Sequence, residues 1–166
     1  MNNKLNENAK TILARLLATE NISVEFNSSI NTAAFDPKNR VLIMPVFEEV
    51  STDVDSLFLG HECGHALFTP QDSIQEINTY RKKGLKDLVN VVEDARIEKL
   101  MQKKFGGLRR SFYNAYTELY EKNFFGTGDT DLNTLSFENR LNLHFIVGSR
   151  LGIRFSDEEQ VFVDRI

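Results

Sequence analysis

The 166-residue chain has a single cysteine and no apolar run of membrane-spanning length. One cysteine, Cys63, cannot form an internal disulfide, and a membrane span needs roughly 18 consecutive apolar residues. The N-terminal stretch MNNKLNENAK also lacks an apolar segment of signal-peptide length. We therefore expect a cytoplasmic protein without a membrane partner.

An excess of positive charge is missing as well, since the net charge is −4. An acidic protein has no general attraction for nucleic acid, so we expect no nucleic-acid partner. The basic cluster KKFGGLRR, residues 103–110, is interpreted as a solvated helix end and turn. With 41% apolar residues and no internal repeat, the sequence predicts a single domain over residues 1–166.

Hydrophobic periodicity predicts a mainly helical α+β fold with a small β-hairpin. A helix is expected over residues 4–19, then a strand at ISVEF, then a hairpin whose turn lies at residues 36–39. Pro45 has no N–H and is expected on an edge strand. Further helices are predicted at residues 51 or 52 to 68, near 72–81, and over 85–105, 109–125 and 137–150.

A last helix is predicted to begin at Ser156 with the capping box S-x-x-E. The sequence ends less than three turns later, at Ile166. We interpret the chain as the N-terminal part of a longer protein.

The stretch LFLGHECGHALFTP, residues 57–70, contains the element H-E-x-x-H. At about 100° per residue, His61 and His65 project within roughly 40° of each other and can bind one metal ion, typically zinc. Glu62 lies one residue's rotation away, where it can act as general base towards a water molecule. Cys63 points away from the histidines and is assigned to the core. The alternative is that so short a motif is only a polar helix face.

A catalytic zinc usually has three protein ligands and one open position, so a third donor is required. In NVVEDARIE, residues 90–98, Glu93 emerges from an apolar stripe, whereas Asp94 shares a more polar stripe with Glu98. Glu93 is therefore predicted to be the ligand, and Asp94 to orient a ligating imidazole or to be the alternative ligand. The other interpretation is an ordinary ion pair between Glu93 and Arg96, three residues apart.

Stabilisation of an oxyanion would need a further donor near the open face of the metal. The candidates are His144, in LNLHFIVG, and the tyrosines Tyr113, Tyr116 and Tyr120. For His144 the alternative is a hydrogen-bonded core residue, and the simpler interpretation of the aromatic residues of 109–125 is that they form core.

Together, GHECGHALFTP and NVVEDARIE resemble gluzincin-type zinc metallopeptidases. They look most like the peptidase-like domains of tailed-phage proteins and of relatives of the cobalamin-biosynthesis chelatase subunit. The resemblance covers about residues 40–100. It implies a zincin-like fold with one zinc ion per chain, bound by His61, His65 and Glu93, and with Glu62 as base. It also implies that the strand RVLIMPVF is an edge strand that aligns an extended peptide.

The same resemblance implies a C-terminal von Willebrand factor A domain in the longer protein and, for a phage-encoded chain, a location in the host cytoplasm. The signature N-E-x-x-x-D of the best-known gluzincins is absent. It is replaced by Asn90-x-x-Glu93-Asp94, so the choice between Glu93 and Asp94 stays open.

The expected function is zinc-dependent hydrolysis of peptide bonds in peptide or protein substrates. The alternative is a non-catalytic zinc-binding domain that serves assembly or as an adaptor. A third interpretation is a helical interaction domain without metal.

Overall fold

A computed structural model describes residues 6–47, 50–70, 79–80, 82–148 and 151–166. Six helices are described, apart from a 3-10 turn at Leu132–Thr134: α1 (Glu7–Ala18), α2 (Thr52–Phe68), α3 (Lys86–Lys104), α4 (Leu108–Glu121), α5 (Phe137–Val147) and α6 (Asp157–Val163). The strands are β1 (Ser23–Asn27), β2 (Ala34–Asp36) and β3 (Val41–Pro45). This confirms a mainly helical α+β fold. The helix predicted near 72–81 lies almost entirely outside the described residues.

The three strands form one sheet in the order β1-β3-β2, with β1 parallel and β2 antiparallel to β3. The predicted hairpin is confirmed as β2 and β3. Its turn is stabilised by the Asp36 carboxylate, which accepts hydrogen bonds from the backbone N–H groups of Lys38 at 2.9 Å and Asn39 at 3.0 Å.

The prediction of an edge position for Pro45 is wrong, because β3 is the central strand. Pro45 pairs with Asn27 of β1 and lies two residues beyond Ile43, the last residue that pairs with β2. Its missing N–H therefore interrupts no bond to β2, which explains how a proline is accommodated there. The two edge strands are β1 and β2, one on each side of β3.

Helix α2 is the centre of the domain and packs against α1, α3, α4 and the hairpin. It begins after Ser51, whose hydroxyl accepts a hydrogen bond from the Val54 N–H at 3.3 Å. It ends at Phe68 because Thr69 adopts the extended conformation that precedes Pro70. Both ends agree with the prediction.

Two glycines let neighbouring helices approach α2 closely. A Cβ atom at Gly60 would lie 2.8 Å from the Phe112 ring of α4. A Cβ at Gly64 would lie 2.8 Å from Cδ1 of Ile97 and 3.0 Å from Cγ of Met101, both on α3. The element that packs closely against Gly64 is therefore helix α3.

The remaining boundaries differ slightly from the predicted ones. Helix α4 stops at Glu121, four residues before the predicted end, and Asn123 just beyond it has a φ of 54°. The capping box at Ser156 is confirmed, and residues 105–107 form the turn expected within KKFGGLRR. No described helix has the length and apolar character required to cross a lipid bilayer.

Candidate metal centre

His61 and His65 of α2 converge on Asp94 of α3. Nε2 of His65 lies 3.2 Å and Nε2 of His61 lies 3.7 Å from Oδ1 of Asp94. The three residues each offer one ligand atom, and these atoms lie within 4.8 Å of one another. Among the described residues this is the one such group of histidine, cysteine or carboxylate side chains that could hold a metal ion.

Glu93 is turned away from this group. Its carboxylate accepts hydrogen bonds from the Thr69 hydroxyl at 2.6 Å and from Arg96 at 2.7 and 2.8 Å. Arg96 also donates to the Phe68 carbonyl at 2.9 Å, at the end of α2. Burial alone would raise the pKa of Glu93, but these hydrogen bonds outweigh it and lower the pKa. The structure therefore reverses the two predicted positions: Asp94 lies beside the histidines, and Glu93 forms the ion pair.

The outer nitrogen of each histidine ring has its own hydrogen-bond partner. Nδ1 of His61 lies 2.8 Å from a carboxylate oxygen of Glu98, and Nδ1 of His65 lies 3.0 Å from the Thr69 hydroxyl. That hydroxyl gives its proton to Glu93, so it accepts from His65. A proton on Nδ1 of each ring satisfies these two hydrogen bonds, so Nε2 is the nitrogen that each ring would offer to a metal ion.

Glu98 is the residue that sequence reasoning missed as part of the site. It is 7% exposed and accepts hydrogen bonds from both His61 and the Tyr116 hydroxyl. Burial lowers the pKa of His61, but the hydrogen bond and negative charge of Glu98 outweigh it and raise the pKa to about 9. The available signal was its spacing, because Glu98 lies one helical turn after Asp94 on the same stripe.

Glu62, also 7% exposed, lies beside β2, where the backbone N–H of Phe35 lowers the pKa of its carboxyl. Burial raises the pKa of its carboxyl, an effect that the neighbouring histidines oppose. The strand that contacts the predicted base is therefore β2. The expectation that RVLIMPVF forms an edge strand is wrong, because this stretch contains β3, which is the central strand of the sheet.

The centre contains more carboxylates than basic side chains. Within the described part of the chain, Glu62, Asp94 and Glu98 have no lysine or arginine as ion-pair partner. A buried carboxylate without a compensating charge is costly. Two imidazoles and a carboxylate at these distances are a donor set that suits zinc, which would displace the Nε2 proton of His61 on binding, and a divalent cation would offset the surplus negative charge.

Two cavities meet at this centre. A cleft of about 500 Å³ is lined by His61, Glu62 and Glu98 on one side. A second cavity of about 360 Å³ is lined by His65 on the other side, and Asp94 borders both. A substrate could therefore pass across the centre.

The other predicted site residues lie elsewhere. His144 packs edge-on against Phe155, with ring centroids 5.4 Å apart, and the cleft is lined from α5 by other residues. The proposed role of His144 near the metal is therefore not supported by its position. Of the three tyrosines only Tyr116 lines the cleft. Its hydroxyl donates a hydrogen bond to Glu98, and burial, together with the charge of Glu98, raises the pKa of Tyr116 well above its ordinary value.

Cys63 is fully buried, and its thiol donates a weak hydrogen bond to the Ala14 carbonyl at 3.4 Å. This confirms its assignment to the core.

Comparisons with models of known protein families, with curated proteins and with solved structures found no match. The function is therefore inferred from the chemistry of the centre.

Proposed function

We propose that the protein is a zinc-dependent peptidase with a zincin-like arrangement of its site. One zinc ion per chain is held by His61, His65 and Asp94, and Glu62 is the general base. The observation that supports this proposal is the convergence of two Nε2 lone pairs and one carboxylate beside a separate, buried glutamate.

When bound, zinc supplies Lewis-acid polarisation of the scissile carbonyl and lowers the pKa of water. Glu62 accepts the proton of the attacking water and passes it to the leaving nitrogen. Burial favours this exchange, because a carboxyl with a raised pKa holds the proton more readily. Glu98 and Thr69 hold the two imidazole rings in the tautomer that ligation needs.

The substrate reaches this centre through the cleft. Phe35 belongs to β2, and its backbone N–H lies near the Glu62 carboxylate. The apolar part of the cleft wall, which includes Phe58 and Leu119, would keep bulk water from the reacting carbonyl. The proposed substrate class is a peptide or an extended segment of a protein.

The test is metal analysis of the purified protein followed by Glu62→Gln. The wild type should contain close to one zinc ion per chain and hydrolyse a denatured, fluorescently labelled protein. Glu62→Gln should retain the zinc and lose at least about 100-fold in hydrolysis rate. Glu121→Gln, an exposed carboxylate at the end of α4, is the matched control and should hydrolyse at the wild-type rate. Unchanged hydrolysis by Glu62→Gln would remove Glu62 as the base.

A non-catalytic zinc domain is the second candidate. It is favoured by the contacts that already join α2 to α3, since Arg96 donates to the Phe68 carbonyl and Glu93 accepts from Thr69. In that case zinc would only clamp the two helices. Stoichiometric zinc with no hydrolysis by the wild type would identify this function.

A further inference from the structure

A polar stripe on α3 runs along the bottom of three adjoining cavities. Its members recur every fourth residue: Asn90, Asp94, Glu98 and Gln102. Asn90 lies in the cavity on the His65 side, Glu98 and Gln102 lie in the cleft, and the latter two also line a third cavity of about 380 Å³. We call this continuous depression the α3 trough.

The length of the trough suits an extended peptide. From residue 90 to residue 102 an α-helix rises about 18 Å, at 1.5 Å per residue. An extended chain covers that distance with about five residues, at 3.3 Å each. The metal centre lies inside the trough, because cavities continue on both sides of Asp94.

Three cations line the trough, and two of them already have partners. Arg96 is paired with Glu93, and Nζ of Lys99 lies 3.4 Å from the main-chain oxygen of Ile166. Arg109, on the first turn of α4, borders both the cleft and the third cavity. No described residue accepts a hydrogen bond or forms an ion pair with its guanidinium group.

An aromatic wall stands in the same cleft. The Phe124 ring is 41% exposed, and its centroid lies 6.2 Å from that of Phe58 and 5.5 Å from that of Phe125. A large exposed apolar ring in a concave site is a typical contact for an apolar side chain of a ligand. The cleft thus offers an apolar surface and a free guanidinium group.

We propose that the α3 trough binds an extended peptide with a bulky apolar residue against the Phe124 wall and a carboxylate on Arg109. This rests on the proposed peptidase function and adds the substrate class. A guanidinium group binds a carboxylate through two parallel hydrogen bonds, which makes Arg109 a specificity-determining residue. The carboxylates of the metal centre repel a peptide carboxylate that lies near them. A preference for a carboxylate is therefore expected at only one position of the peptide, the one beside Arg109.

The carboxylate could belong to an Asp or Glu side chain or to a peptide C-terminus. The third cavity continues past Arg109, so the bound chain has room to extend beyond it, which favours a side chain.

The test measures binding separately from hydrolysis. Zinc-loaded Glu62→Gln protein is titrated against fluorescein-labelled, amidated peptides that contain one Phe and one Glu, with the Glu placed two to four residues before or after the Phe. Fluorescence polarisation gives each dissociation constant, and a Gln peptide accompanies each Glu peptide. At one position Glu should bind about tenfold more tightly than Gln, which corresponds to about 1.4 kcal/mol.

Arg109→Ala should abolish that difference, and Arg110→Ala, the neighbouring exposed arginine outside the trough lining, should retain it. Peptides with a free C-terminus and no Glu distinguish the two sources of the carboxylate, and either source supports the assignment of Arg109. The proposal is overturned if no peptide shows a preference for a carboxylate, or if the preference survives Arg109→Ala.

The two proposals fail in different ways. Binding that depends on Arg109, in a protein whose wild type hydrolyses none of these peptides, would reject the peptidase function and retain the trough. Hydrolysis that depends on Glu62 but proceeds equally with the Glu and the Gln peptides would retain the peptidase function and reject the role of Arg109 in the trough.

Discussion

Helix α2 meets charged groups on two sides, and the two sides differ in how the charges are matched. Towards α1, Nζ of Lys10 lies 2.5 Å from Oδ1 of Asp55, and the two side chains are 3% and 2% exposed. Towards α3, three carboxylates surround two histidines and face a cleft of about 500 Å³. The first side is balanced and sealed, whereas the second is unbalanced and open.

The difference teaches which of two buried polar clusters has room for a ligand. A one-to-one pair needs no further ion, and its role is to hold α1 on α2. A surplus of carboxylates beside an open cavity costs free energy until a cation binds. Charge balance and access, taken together, therefore separate the cluster that only holds helices together from the cluster that can accept a ligand.

The largest expected effect comes from breaking the sealed pair with Lys10→Met. This change leaves the Asp55 carboxylate buried without its cation, and Oδ2 of Asp55 already has no hydrogen-bond partner. The free energy of unfolding should fall by about 3–5 kcal/mol, measured by urea denaturation. The double variant Lys10→Met/Asp55→Leu should recover most of the loss. A decrease below about 1 kcal/mol in the single variant would show that the pair is not essential.

The next effect separates the two acidic residues of α3. Asp94→Ala should weaken zinc binding by at least about 100-fold, or about 2.7 kcal/mol, because it removes a ligand. Glu93→Ala should weaken it by only about tenfold, since Glu93 acts on His65 through Thr69. Competition with a chromophoric chelator measures both affinities. A larger loss in Glu93→Ala than in Asp94→Ala would restore the original assignment of Glu93.

A smaller effect is expected from the carboxylate behind His61. Glu98→Gln keeps a hydrogen-bond acceptor but removes the negative charge, so zinc affinity should fall by about tenfold. Tyr116→Phe keeps the bond between Glu98 and His61 and is the matched control, with an expected change below about threefold. The same chelator competition applies. Equal losses in the two variants would mean that packing, and not the charge of Glu98, supports His61.

The smallest effect concerns Cys63, which lies on the sealed side of α2. Burial raises the pKa of its thiol to about 12, and the side chain is fully enclosed. The native protein should not react with a disulfide reagent such as Ellman's, whereas one thiol should appear in guanidinium chloride. Removal of zinc with a chelator should leave the thiol protected. Fast reaction of the native protein would show that this side opens.

The elements that local sequence features specify were predicted well. The ends of α2 follow from a capping serine and a proline, and both signals act within four residues. The convergence of His61 and His65 follows from helical geometry alone. The position of β3 could not be read in this way. Its central place depends on parallel pairing with β1, which joins residues that are separated in the sequence.

Which of Glu93 and Asp94 lies beside the histidines could not be predicted for a related reason. Helical geometry predicts that the two carboxylates point about 100° apart, but it does not predict which of them faces α2. That depends on how α3 is rotated, and the contact of Ile97 with Gly64 sets the rotation. An apolar stripe marks the packed side of a helix, and the carboxylate that lies beside the histidines, Asp94, is next to this stripe.

Because Gly64 has no side chain, it has a further consequence for the candidate metal centre. A Cβ atom there would lie 2.8 Å from Cδ1 of Ile97 and 3.0 Å from Cγ of Met101, so these side chains of α3, the helix that carries Asp94, would have to shift. Zinc affinity would then change although every donor atom is still present. The glycine of H-E-x-G-H therefore matters together with the donors, since it leaves room for α3 to lie close to the two histidines.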